Sequence, residues 1–249
     1  MNIFTDKYNE LIGKTFIEYR VPQTNFSYYR FFPRVSDLDL VNRLSKEKIK
    51  FEMNASQNIE ERSTTKKLEK TFEGTLAELA ILQFLIVIYH INHQYIKWYN
   101  IERNSFEYSP EEYDIRLDDR IDIGVRSSHF KESDDISRVF FTDKMDYFLY
   151  QNEIKKQDKK DNFQMRVLYL DVVNPNYIPK SVAQLISALN NDKMQIYIVG
   201  GIKCSEIITR GQYKNMGQYN SQYHTLNLKS GPNLTKFYFE LMETLYGIN

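Results

Sequence analysis

Residues 73–88 carry apolar side chains on most faces at helical spacing, which predicts a helix buried on more than one side. Its greasiest part, 79–91, is shorter than the ~18 residues that suggest a membrane span. Beyond it the pattern shortens and changes period. Runs rich in Val, Ile, Tyr and Phe at 95–99, 113–117, 121–127, 146–151, 164–173, 194–202 and 223–228 predict strands. Several of these are continuously apolar, as expected of strands covered on both faces. Helices are predicted at 36–48, at 179–189 with Pro179 in the first turn, at 205–210, and from about 232 onward. The last of these carries Leu234, Phe237, Phe239, Leu241 and Leu245. Strands interspersed with helices predict an α/β fold with a central mixed sheet flanked by helices. Residues 57–70 are charged and polar and lead into the long apolar helix. No repeat, low-complexity tract or Gly/Ser linker interrupts the chain, so one compact unit is expected. Within it, 1–70 is an N-terminal helical extension packed on a core of 71–249.

The most informative stretch is 113–128, two short strands joined by the polar turn Asp118-Asp119-Arg120. Period two sets Asp122, Gly124 and Arg126 on one face and Ile121, Ile123 and Val125 on the other. Asp114, on the preceding strand, joins Asp122 if the two strands pair as a hairpin. An apolar back and a front bearing acids and a cation suit phosphodiester hydrolysis, which needs a divalent ion beside a fixed positive charge. Magnesium takes hard oxygen ligands and keeps several waters, so one or two carboxylates plus a substrate phosphate suffice. Asp114 and Asp122 are the expected metal ligands. Arg126 is placed to offset charge developing in the transition state. Glu78 interrupts an otherwise apolar run, where an unpaired carboxylate is expensive. It is expected to approach the sheet from behind, holding a second metal or orienting a metal-bound water. The competing reading makes Asp114 and Asp122 a solvated hairpin face and Asp118 and Asp119 simple turn residues.

Composition narrows the field. The chain has 249 residues, 33 basic and 33 acidic, so its formal net charge is zero. That excludes an indiscriminate polycation while leaving room for a basic cleft. The single cysteine, Cys204, excludes an intramolecular disulfide and a cysteine zinc cage. With no secretory signal and no spanning segment, a soluble cytoplasmic protein with no membrane partner is expected. His90 and His93 lack a third ligand at matching spacing and read as satisfied or surface histidines. Lys155, Lys156, Lys159 and Lys160 form a solvated loop with Asp158 and Asp161. The run Tyr28-Tyr29-Arg30-Phe31-Phe32-Pro33-Arg34 is either a DNA-facing surface or, as aromatics more often are, core.

Taken together, Gly74-x-x-x-Glu78, Tyr113-Asp114-Ile115 and the strand 121–128 resemble the PD-(D/E)XK, restriction-endonuclease-like nuclease superfamily. That family's core is a helix bearing a Glu, a strand with an Asp, and a strand carrying acid-x-Lys. Residues 144–150 and the unit Gly200-Gly201 followed by 205–208 resemble its downstream strand and strand-Gly-helix segments. The resemblance covers about 71–228. It implies a restriction-endonuclease-like fold, Mg2+ as cofactor, double-stranded DNA as substrate, and a Type II restriction endonuclease working as a homodimer. Two symmetric strands call for two active sites related by a two-fold axis. The chain departs from the pattern at Gly124, which stands at the acid position, and at Arg126, which stands at the Lys position. Asp122, one pleat away or ~7 Å, is the substitute acid. Arg keeps the charge and gives up the ability to lose a proton. The alternatives are a nuclease-like fold retained to bind DNA or a partner protein, and a phage-defence effector nuclease.

Overall fold

The computed structural model describes residues 15–55, 64–102, 113–130, 136–142, 145–150, 162–172, 181–216 and 221–247. In chain order these form β1 (Phe16–Arg20), β2 (Ser27–Phe31), α1 (Val35–Ala55), α2 (Thr64–Val87), β3 (Ile96–Trp98), the single turn α3 (Tyr99–Glu102), β4 (Ile115–Leu117) and β5 (Ile121–Phe130). There follow β6 (Asp146–Tyr150), β7 (Phe163–Asp171), α4 (Val182–Asn190), β8 (Met194–Lys203), α5 (Cys204–Arg210), β9 (Gln212–Met216), β10 (Ser221–Asn227) and α6 (Leu234–Tyr246).

Seven strands make a mixed sheet in the order β1-β2-β8-β7-β5-β4-β3, and β6-β10-β9 make a second, smaller one. Strands β3, β4 and β5 are an antiparallel meander; β7 runs parallel to β5, and β8 antiparallel to β7. One face of the large sheet is closed by helices. Phe72, Leu76, Ile81 and Leu85 of α2 pack with Ile115, Ile123, Met165 and Ile198, joined by Leu38, Leu185 and Phe237 from α1, α4 and α6. The other face is closed over β7 and β8 by the second sheet, through Tyr147, Leu149, Leu168, Val199 and Leu226. Strand β7 is therefore buried at all nine positions, which accounts for its mostly apolar sequence. Among the described residues no helix is long and apolar enough to cross a membrane.

The expected N-terminal helical extension needs correcting. The helix is present as α1, but before it β1 and β2 form a hairpin that pairs with β8 through Tyr29↔Ile198 and Phe31↔Ile196. The aromatic run 28–34 is thus largely structural. Tyr28 and Phe31 are buried, Tyr28 stacks on Tyr19 at 5.3 Å, and Arg30 pairs with Asp192. Helix α2 begins at Thr64, so the polar 64–70 stretch is its first two turns rather than a lead-in. Pro179 lies outside the described residues; the cap of α4 is Ser181, whose side chain accepts from the Gln184 N–H. In α6 the buried positions are Leu234, Phe237, Leu241 and Leu245, while Phe239 faces outward.

Candidate functional site

The two segments pair as an antiparallel hairpin, with Ile115↔Ile123, Arg116↔Asp122 and Leu117↔Ile121 in register. Its turn works because Asp118 and Asp119 accept left-handed backbone, with φ of 47° and 56°, and the Arg120 N–H closes it onto the Leu117 carbonyl at 3.0 Å. Two consecutive left-handed residues match the twist of the flanking strands. Asp122 thereby sits directly across from Arg116. Arg116 Nε donates to one Asp122 oxygen at 2.6 Å and Nη2 to the other at 3.2 Å, with the two side chains 15% and 14% exposed. The guanidinium also lies 3.9 Å over the Tyr113 ring. Asp114, two residues before Arg116, accepts the Val125 N–H at 2.6 Å and so closes the end of the β4–β5 ladder. Continuing the register opposite Gly124, it is a diagonal neighbour of Asp122, ~7–8 Å away between Cα atoms. Arg126 shares a strand face with Asp122 and pairs in register with Arg166 of β7. Gly124, between them, is not demanded by packing: the nearest atom to an added Cβ is the Phe163 carbonyl oxygen at 3.9 Å.

Glu78 is buried, as its apolar surroundings predicted, but on the other side of the sheet. It accepts from Trp98 Nε1 at 2.8 Å and from the Asn100 side-chain amide. Trp98 is the register partner of Ile115, whose side chain faces the helices, so this carboxylate is separated from the Asp122 and Arg126 face by the sheet itself. Its observed work is to fasten β3 and α3 to α2. Among the described residues, no three of His, Cys, Asp and Glu converge as a metal-binding group.

A second polar cluster, unforeseen from the sequence, lies on that same helical side. His129 Nε2 and Glu73 Oε1 are 2.6 Å apart, Lys70 Nζ is 2.5 Å from Glu73 Oε2, and Tyr169 donates to the Glu73 carbonyl at 2.6 Å. Burial opposes ionisation of Glu73, yet the hydrogen bonds and positive charge of His129 and Lys70 outweigh it, and the carboxyl sits below its ordinary value. Neighbouring Glu69 moves the other way, raised by burial and then by the charge of Glu73. A depressed folded-state pKa contributes stability that is present above the unfolded value and lost as pH falls through the folded one. Glu73→Gln is therefore expected to lower stability near pH 7 and to flatten the acid limb below about pH 4.5. Urea midpoints of the two proteins should converge as pH falls below about 4.5; parallel profiles would show that the cluster contributes nothing.

The remaining residue missed from sequence is Arg166, 4% exposed in the middle of β7, with Nη2 donating to Ser128 Oγ at 2.9 Å. The signal was a lone cation in a mostly apolar strand. His90 and His93 take no part in the hairpin site. Lys155, Lys156, Lys159 and Lys160 lie outside the described residues. No family profile, curated protein or solved structure matches this chain.

Proposed function

We propose that the chain is a magnesium-dependent endonuclease that hydrolyses phosphodiester bonds of double-stranded DNA, a member of the PD-(D/E)XK kind acting as a homodimeric Type II restriction endonuclease. The observation that carries this reading is the β4–β5 hairpin: Asp114 and Asp122 flank Arg116 on it, with Arg126 further along the face of Asp122. The order of a glutamate-bearing helix, a three-stranded meander and a parallel next strand supports it further. Two carboxylates are what magnesium takes from a protein when substrate phosphate and water complete its shell, so Asp114 and Asp122 suit it as ligands. Bound there, the ion supplies Lewis-acid polarisation of a phosphoryl oxygen and a more acidic water. Arg126 stays cationic at every working pH and offsets negative charge gathering on the phosphorus oxygens. Because it cannot take up a proton, the attacking water must give its proton to another base. Glu78 has a supporting part in this reading, holding the β3 edge to α2.

A second reading, a DNA- or partner-binding module that has lost its chemistry, is favoured by one observation. Both oxygens of Asp122 are held by Arg116. Incubating purified protein with supercoiled plasmid, with Mg2+ and with EDTA, separates the two. Nicked and linear DNA in Mg2+ alone is expected. No cutting in Mg2+ or Mn2+ but a retained gel shift establishes the binding module and overturns the nuclease. A discrete fragment ladder supports restriction, whereas a smear supports a phage-defence effector nuclease.

A further inference from the structure

We infer that Arg166, with Arg126 beside it on the adjacent strand, forms an internal phosphate-binding pair on the front of the sheet, and that its ligand is a backbone phosphate of a nucleic acid. The identity of that phosphate rests on the nuclease reading; the anion site itself rests on the geometry of β5, β6 and β7.

Strand β7 is inaccessible at every position, yet it carries a guanidinium at its centre. Only Nη2 of Arg166 is engaged, by Ser128; Nε and Nη1 are buried without a hydrogen-bond partner. Among the described residues no carboxylate forms an ion pair with it. Asp146 is already taken by Lys214 at 2.7 Å and by Asn227 at 3.3 Å. Gln164, on the same strand face, is also spent: its amide spans the Phe148 carbonyl at 2.8 Å and N–H at 3.2 Å. Phe148 offers Arg166 the face of its ring, 5.1 Å from the guanidinium carbon, and no acceptor oxygen from its side chain. The hydroxyl of Tyr147, fully buried on β6, is likewise without a partner.

Among the described residues, hydroxyl groups are thus the acceptors left to Arg166. Burial pushes the pKa of Arg166 down to about 10, which leaves it charged near neutrality. A buried cation without a counter-ion is costly, and a methionine of similar length would fill the same volume at less cost. Register pairing across β5 and β7 also brings Arg126 onto the neighbouring strand, ~4.8 Å away, where its charge disfavours that of Arg166. An anion beside Arg166 relieves both costs. Arginine is the residue that matches phosphate oxygens with directed N–H groups. Arg126 and Ser128 are partly exposed on the side of β5 that carries Asp122, which is the side from which an anion would approach.

The test uses the full chain and inorganic phosphate, titrated at constant ionic strength with chloride as the balancing anion. Thermal unfolding of the wild type should shift upward and saturate with phosphate. Arg166→Met should fold, melt no lower than wild type in chloride alone, and lose the phosphate response. Binding of a fluorescent DNA duplex in EDTA, followed against salt, should lose about one unit of slope in the same variant. If Arg166→Met does not fold, Arg126→Gln takes its place, with at least a tenfold weaker phosphate midpoint expected. A phosphate response that survives both substitutions, or none in the wild type, overturns the pair. The two proposals fail separately. Plasmid cutting without a phosphate response removes this site alone, and a phosphate response without cutting keeps the site and removes the nuclease.

Discussion

On the nuclease proposal, Asp114→Asn is expected to fold as the wild type does and to cut DNA about 10²–10³-fold more slowly, the size of losing several kcal/mol of metal-borne transition-state stabilisation. The substitution is nearly silent structurally because the one bond Asp114 makes within the hairpin is as an acceptor, from the Val125 N–H at 2.6 Å. The asparagine carbonyl oxygen can accept the same bond. What disappears is the negative charge. Asp122→Asn is a less clean probe, since it also dismantles the two-pronged pair with Arg116, which is mostly buried and whose guanidinium would lose its partner. Initial rates of plasmid linearisation at saturating Mg2+, set beside duplex affinity in EDTA, separate the two roles. Affinity should hold or improve as repulsion with the backbone is relieved, while the rate collapses. Wild-type cutting by Asp114→Asn would remove this carboxylate from the reaction altogether.

The parts of this site that were legible in the sequence are those governed by alternation. Hydrophobic Ile121, Ile123 and Val125 had to face the helices, and that alone turned Asp122 and Arg126 the other way. The same alternation, combined with the two-Asp turn, also determines that Arg116 lies across from Asp122, so their ion pair follows from the register. Glu78 was legible as buried, because it interrupts an apolar helix. Its partners were not: Trp98 and Asn100 are 20 and 22 residues away, and only the folding of β3 onto α2 brings them to it. The β1–β2 hairpin escaped for a different reason. Tyr28, Tyr29, Phe31 and Phe32 crowd apolar surface onto successive positions, which hides period two, and the strand's identity comes from pairing with β8 far along the chain. Arg166 went unnoticed because a single cation hardly alters the hydropathy of a buried strand. Its meaning lies in which neighbours lack an acceptor, which is a tertiary property.

Gly200 and Gly201 carry the largest expected effect on stability. They lie where β8 is gripped from both sides, and neither belongs to a phosphate loop. A Cβ on Gly200 would fall on the Tyr147 hydroxyl and come within 3.1 Å of Leu228 Cδ1; one on Gly201 would lie 2.7 Å from three ring atoms of Phe237. Tyr147 and Phe237 are both fully buried, and Tyr147 is itself wedged against Gly231, where an added Cβ would be 2.7 Å from its ring. Neither ring has room to retreat. Gly200→Ala and Gly201→Ala should each cost about 3 kcal/mol, the upper part of the range for overpacking a core. In a chain of this size that lowers the melting temperature by about 6–12 °C. The two clashes differ in kind, and a second substitution exposes the difference. Tyr147→Phe removes the atom that the new methyl group of Gly200→Ala strikes, leaving the ring carbon at 3.1 Å, a contact that yields by a few tenths of an ångström. Adding Tyr147→Phe to Gly200→Ala should recover at least about 1 kcal/mol as a coupling energy, and should recover nothing in Gly201→Ala. Urea unfolding of the full double-mutant cycle measures both values. Equal recovery in the two backgrounds would mean that the hydroxyl is not what the strand was built to clear.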